Sequence, residues 1–163
     1  MVSSYSTHTR STNFPGPQFG CLDAIPVVGK TYIIRRHNST AALCIRNEKL
    51  VWAKSHIWDL RSPPPNLTTW LVVEFRNWLG FFNESTGMYL GYNDDILLPV
   101  NKFNSNAYFG TRHGEYGGYA LQAKGRKKST MEVLINAPSA GGRLELTAHR
   151  GSFIKFVSVR RQI

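Results

Sequence analysis

Four short apolar runs follow one another three times along this chain of 163 residues. No other feature limits the available folds as strongly. The first runs of the three sets start at residues 31, 79 and 118, the second at 42, 88 and 132, the third at 50, 96 and 144, and the fourth at 69, 107 and 152. The spacing scatters around a period of about 44 residues, the mark of a repeated supersecondary unit. Each run is too short for a helix of three turns and is rich in β-branched and aromatic residues, which suit a pleated surface.

The middle of the chain, Thr69 to Asp95, shows the unit most clearly. Trp70, Val72, Glu74 and Arg76 share one face of a strand, and Leu71, Val73 and Phe75 share the other. Arg76-Asn77 marks a tight turn. Leu79 to Phe82 forms the next run, Asn83 to Gly87 a loop, Met88 to Gly91 a third run, and Asn93-Asp94-Asp95 a further turn. No apolar spacing of three and four persists long enough for a helix of three turns. The expected fold class is all-β, with twelve short strands in three pseudo-repeats that bury one shared core. Residues 1–27, broken by Pro15, Gly16, Pro17 and Gly20, read as a flexible N-terminal arm, and residues 28–163 as the single domain. The apolar end of the arm, from Cys21-Leu22 to Ile25-Pro26-Val27-Val28, is expected to lie against the core.

The sequence around Gly29-Lys30-Thr31-Tyr32-Ile33, Trp78-Leu79-Gly80-Phe81-Phe82-Asn83, Thr86-Gly87-Met88-Tyr89-Leu90-Gly91, Gly117-Gly118-Tyr119-Ala120-Leu121 and Phe153-Ile154-Lys155-Phe156-Val157 resembles the β-trefoil superfamily. The likeness is to its ricin B-like and fascin-like members and covers about residues 29–160. The resemblance implies a six-stranded barrel capped by three hairpins, with Thr31–Arg36 pairing near Phe153–Val159. It also implies carbohydrate or actin binding. The chain departs from the sugar-binding pattern, however. None of Gln18, Gln122 and Gln162 is followed two places later by Trp, so the Gln-x-Trp of ricin-type repeats is missing. A single trefoil also lacks the tandem copies that filament bundling implies, and a monomer is expected.

No catalytic constellation stands out. The histidines (His8, His37, His56, His113, His149) are scattered, no Gly-x-Ser-x-Gly elbow occurs, and no His or Cys spacing suits a metal. Adjacent strand carboxylates such as Asp94 and Asp95 would face opposite ways. The chain therefore reads as a non-enzymatic binding module with no cofactor. Cys21 and Cys44 form no metal pair, and whether they join in a disulfide is open. No apolar run is long enough to span a membrane, and residues 1–20 lack the apolar segment of a secretory signal, which favours a cytoplasmic protein. The sequons at Asn38, Asn66 and Asn83 then read as chance.

Two ligand surfaces follow from these residues. Aromatic platforms beside hydrogen-bonding groups suit a glycan, and Trp78, Tyr89, Tyr92, Asn93, Asp94 and Asp95 supply that mixture; Trp70 reads as core. The alternative is an anionic macromolecule, either nucleic acid, actin filament or acidic polysaccharide. The formal net charge is +10, and it is uneven. Residues 1–95 hold nine Lys/Arg and seven Asp/Glu, whereas residues 96–163 hold eleven and three. The candidates here are Arg35, Arg36, Arg126, Lys127, Lys128, Arg160 and Arg161, with the two terminal arginine pairs expected to share one end of the barrel.

Overall fold

The structure, a computed structural model, describes residues 25–37, 39–54, 68–124, 134–136, 144–147 and 153–159. Among them run twelve strands: β1 (Thr31–Arg36), β2 (Ala41–Arg46), β3 (Lys49–Lys54), β4 (Thr69–Phe75), β5 (Trp78–Asn83), β6 (Met88–Asn93), β7 (Ile96–Val100), β8 (Phe109–His113), β9 (Tyr119–Ala123), β10 (Leu134–Asn136), β11 (Glu145–Thr147) and β12 (Ile154–Ser158). The described residues hold no helix longer than the 3-10 turn Ser105–Ala107, and none is long and apolar enough to cross a membrane.

Six strands close on themselves through antiparallel pairs, in the order β1, β4, β5, β8, β9, β12 and back to β1. The other six form the hairpins β2–β3, β6–β7 and β10–β11. This is the expected β-trefoil: a six-stranded barrel with three hairpins over one end. Closure matters because an open sheet would present unpaired N–H and C=O groups along two edges. The seam is the pairing of β12 with β1, whose register runs from Tyr32 opposite Ser158 to Arg36 opposite Ile154. The Val159 N–H extends it by donating to the Thr31 carbonyl at 3.0 Å.

Pairing register aligns the repeats. Tyr32, Leu79 and Tyr119 occupy one position of the barrel and lie opposite Trp70, Phe109 and Ile154. Two residues further on, Ile34, Phe81 and Leu121 point into the core, as the two-residue period of a strand requires. Phe156 sits among them. It stacks on Phe81 at 5.6 Å and meets Tyr32 and Tyr119 edge-on at 5.9 and 5.5 Å. Trp70 is fully buried, as expected, and its indole N–H donates to the Leu43 carbonyl at 3.0 Å.

The turns follow their residues. Arg76-Asn77 and Asn47-Glu48 both take positive φ at the two central positions (48° and 67°, 50° and 59°). That is the two-residue hairpin geometry whose twist matches paired strands. Gly87, at φ 71°, closes the β5–β6 turn, and the Asn83 side chain locks it. Its Oδ1 accepts from the Thr86 N–H at 3.0 Å and the Thr86 hydroxyl at 3.1 Å, while its Nδ2 donates to the Thr69 carbonyl at 3.3 Å. The Asn83 side chain is therefore built into the turn and fully buried, which denies its sequon to a glycan.

Two expectations need correction. The fourth strands of the second and third repeats begin at Phe109 and Ile154, two residues later than read. Tyr108 and Phe153 thus precede the strands, and the residues matching Trp70 are Phe109 and Ile154. In the apolar end of the arm, Pro26 is buried but Ile25, Val27 and Val28 face outward, at 71%, 47% and 46% exposure. What ties this segment down is the Tyr32 hydroxyl, which donates to the Ile25 carbonyl and accepts from the Val27 N–H. Cys21-Leu22 lies outside the described residues. The seam register brings Val159 to Thr31, at the opposite end of β1 from Arg35 and Arg36. The terminal strands adjoin; Arg160 and Arg161, expected to share one end of the barrel with Arg35 and Arg36, lie outside the described residues.

The position of Phe156 predicts that Phe156→Ala lowers unfolding stability by ~3–5 kcal/mol, the range for emptying a packed aromatic site. Urea denaturation followed by circular dichroism checks it. A loss below ~1 kcal/mol would mean that the barrel centre is not packed as described.

Candidate functional site

The pleat that sends Trp70, Val72 and Phe81 inward sends Phe75 and Phe82 outward. On the outside of the second repeat these two rings join others into a continuous strip. Phe82 meets Tyr89 at 4.8 Å, Tyr89 stacks on Phe103 at 5.4 Å, Phe103 meets Tyr108 edge-on at 5.0 Å, and Tyr108 stacks on Phe75 at 5.7 Å. Such ring pairs contribute ~0.5–1.5 kcal/mol each beyond the area they bury. Phe75 is 45% exposed, whereas Tyr108 is nearly covered.

Gly80 makes the strip possible. Any Cβ at this β5 position would clash with the Phe103 Cε2, so a bare backbone is what lets the ring approach the strand. Trp78, at the start of β5, stands over Gly110 of β8, where a methyl group would touch its ring at 3.7 Å and the Gln122 Oε1 at 3.4 Å.

Two cations flank the strip. The Lys124 ammonium lies 5.4 Å from the Trp78 ring centre and 5.3 Å from that of Tyr108, and thus bridges the two rings. The Arg76 guanidinium lies 5.2 Å from the Phe75 ring centre. At exposed sites a cation over a ring face gains ~0.5–1 kcal/mol.

The structure divides the residues read as one glycan site. Trp78 and Tyr89 belong to the strip, linked through Lys124, Tyr108 and Phe103. Tyr92 does not. Its side chain is buried in the core, edge-on to Phe109 at 5.4 Å. Its hydroxyl faces backbone carbonyls: Ser105 at 2.7 Å, Lys124, and Tyr108 at 3.5 Å. This corrects its reading as a ligand contact, because the one polar atom of Tyr92 is committed beneath the strip. Asn93, Asp94 and Asp95 are exposed on the β6–β7 turn, about 13 Å along the strand from Tyr89. There the Asp95 carbonyl accepts from the Leu146 N–H, and the Leu97 N–H donates to the Leu144 carbonyl, so the turn abuts the third repeat.

Of the anion candidates, Arg35 and Arg36 are half-buried on β1. Arg35 lies opposite Lys155 and donates to the Ser39 carbonyl at 3.3 Å. Arg126, Lys127, Lys128, Arg160 and Arg161 lie outside the described residues. Among the described residues, no group of His, Cys, Asp or Glu is placed to hold a metal ion.

Sequence reasoning missed Phe75, Phe103 and Tyr108 as site residues, and it read Lys124 only as one of the scattered cations of the basic half. One signal was available: Gly80 inside a strand otherwise made of large apolar residues marks the close approach of another group. The strip also joins residues from four separate segments, which only the strand register brings together.

Burial raises the pKa of the Tyr92 phenol above its ordinary 10.0. It raises that of the buried Cys44 thiol above 9.0 as well, against a smaller opposing pull from Arg46. Both groups stay neutral in the folded chain at a pH where the unfolded chain already loses their protons. The stability they lend is complete below about pH 9 and falls as pH rises from there. Thermal unfolding measured across alkaline pH is expected to show this fall. Cys44→Ala and Tyr92→Phe should each flatten part of it, and profiles identical to the parent would contradict the assignment.

No family model matches the chain, and no curated protein matches it in sequence. Solved structures do match in shape. A ricin B-like lectin from Macrolepiota procera, in complex with lactose, aligns at a TM-score of 0.61 and 13% identity over 85% of this chain and 100% of the lectin. SeviL bound to asialo-GM1 saccharide aligns at 0.59 and 13% identity, over 83% of this chain and 100% of that one. A GlcNAcα1-4Gal-releasing endo-β-galactosidase from Clostridium perfringens aligns at 0.61 and 16% identity over 80% of this chain. This chain spans only 33% of that enzyme. At these identities the likeness is one of fold, and the chain has a β-trefoil fold.

Proposed function

We propose that this chain is a non-catalytic carbohydrate-binding module whose ligand lies along the aromatic strip of the second repeat. The observation that carries the reading is the strip itself, in which Phe75, Trp78, Tyr89, Phe103 and Tyr108 are gathered outside the core on a closed barrel. Exposed Phe75 and half-buried Trp78, Tyr89 and Phe103 offer ring surface to the C–H groups of a pyranose, with the nearly covered Tyr108 stacked on Phe75 as support. The scaffold holds them without help from the ligand, so little ordering is needed on binding. Trefoil neighbours solved with lactose and with asialo-GM1 saccharide support the choice of a glycan. So does a trefoil-shaped portion within an endo-β-galactosidase. The site proposed here is not the Gln-x-Trp site, because that pattern is missing from the sequence.

A second reading has one observation in its favour. The positive charge is concentrated in residues 96–163, and on the barrel wall Arg35 faces Lys155 across the seam. Like charges placed opposite each other on paired strands disfavour folding, and an anionic macromolecule would relieve them. Nucleic acid and actin filaments are the candidates.

A glycan array probed with the parent chain and with Trp78→Ala decides between the two. Hits that fall about tenfold or more in affinity with Trp78→Ala, with the far-ultraviolet circular dichroism spectrum retained, are the expected result. A blank array, or hits indifferent to Trp78, would overturn the strip as a glycan site.

A further inference from the structure

We infer that the glycan taken by the strip is acidic, bearing sulfate or carboxylate groups. The inference rests on the proposal that the strip binds glycans and adds the chemistry of the ligand. Three observations converge on it.

First, Lys124 stands where a sugar would stack. Its ammonium lies over the rings of both Trp78 and Tyr108. A neutral pyranose seeking the Trp78 face has to push this cation aside and forfeit its attraction to both rings. An acidic sugar does the reverse, because its anion draws the ammonium outward while its ring takes the vacated face. Second, Arg76 holds the corresponding place over Phe75, and the stack of Phe75 on Tyr108 puts both cations along one aromatic surface. Third, among the described residues neither cation has a carboxylate partner. The acid nearest in sequence, Glu74, belongs to the opposite pleat face of β4 from Phe75. The strip thus offers two cations and, among the described residues, no carboxylate bound to either.

An ammonium or guanidinium on a sulfate or carboxylate makes a charge-assisted hydrogen bond, roughly twice as strong as a neutral one. Rings alone do not distinguish acidic from neutral sugars, so the cations set this preference. Arg76 and Lys124 lie on exposed positions, which makes the binding fall with added salt.

Calorimetric titration of the full chain tests the inference with four probes at low and high salt. These are a heparin-derived oligosaccharide, an oligogalacturonate carrying carboxylates only, a neutral chito-oligosaccharide, and inorganic polyphosphate. The expected result is preference for one or both acidic sugars over the neutral one. Lys124→Gln should weaken that binding about tenfold, and Arg76→Gln in the same direction. Lys49→Gln, an equal charge loss on the exposed β2–β3 turn, should leave it unchanged. Whichever acidic sugar binds more tightly tells sulfate from carboxylate. If the neutral sugar binds as well or better, is lost in Trp78→Ala and is unaffected by Lys124→Gln, the strip binds glycans and the acidic preference is wrong. If polyphosphate binds as tightly as the acidic sugars and Trp78→Ala does not matter, charge alone is responsible and the inference falls. Should no sugar bind, the glycan reading itself fails.

Discussion

The pairing of the last strand with the first is the constraint on which the rest depends. Five residue pairs between β1 and β12 turn a twisted sheet into a ring. Without them the chain would end in two strand edges, with Phe156 at a margin rather than at the centre. With them, Phe156 touches Tyr32, Phe81 and Tyr119, one residue from each first strand of the three repeats. A contact set of this kind spans most of the sequence. It forms only after long loops have closed, and it rewards all three repeats together. That is the physical reason a four-stranded unit is repeated: one copy has nothing to close against.

Once the ring is closed, the outer pleat of each strand is free of the core and takes on other work. The second repeat uses it to collect rings. Phe75 and Phe82 face outward because Phe81 and Trp70 face inward, and Gly80 leaves room for the Phe103 ring against β5. Tyr92 supports the arrangement from below, since its hydroxyl bonds the backbone at Ser105 and Lys124, the segments that carry the strip's edge. Phe75, Trp78, Phe82 and Tyr89 sit on strands that the barrel's own stability holds in place, and the segment between β7 and β8 lays Phe103 and Tyr108 against them.

The fold was legible in the sequence for a simple reason. Strand runs and turn residues are local signals, and a period of about 44 residues makes each of the three copies a check on the others. The signal failed at Tyr108-Phe109 and at Phe153-Ile154, where two neighbouring apolar residues compete for one inward position. Parity alone does not choose between them; the pairing of Phe109 with Leu79 and of Ile154 with Tyr119 does. The site was less legible. Trp78 and Tyr89 were visible as aromatics near turns, but Tyr92 looked equally suitable until the core claimed it. Phe103 and Lys124 gave no local sign of belonging to the same surface, because a loop after β7 and the end of β9 meet β5 only through the folded register. Local chemistry thus predicts strands well, and a surface assembled from four segments poorly.

The outward aromatic strip of the second repeat is the proposed seat of the ligand. Nuclear magnetic resonance of the isotopically labelled chain, titrated with whichever glycan binds, tests that most directly. Shifts are expected at the Trp78 indole, the rings of Phe75, Tyr89, Phe103 and Tyr108, and the Lys124 side chain, with the barrel core and the first repeat's outer face unmoved. Shifts centred on the β6–β7 turn at Asn93 to Asp95, or on Arg35 and Lys155, would place the ligand elsewhere and contradict it.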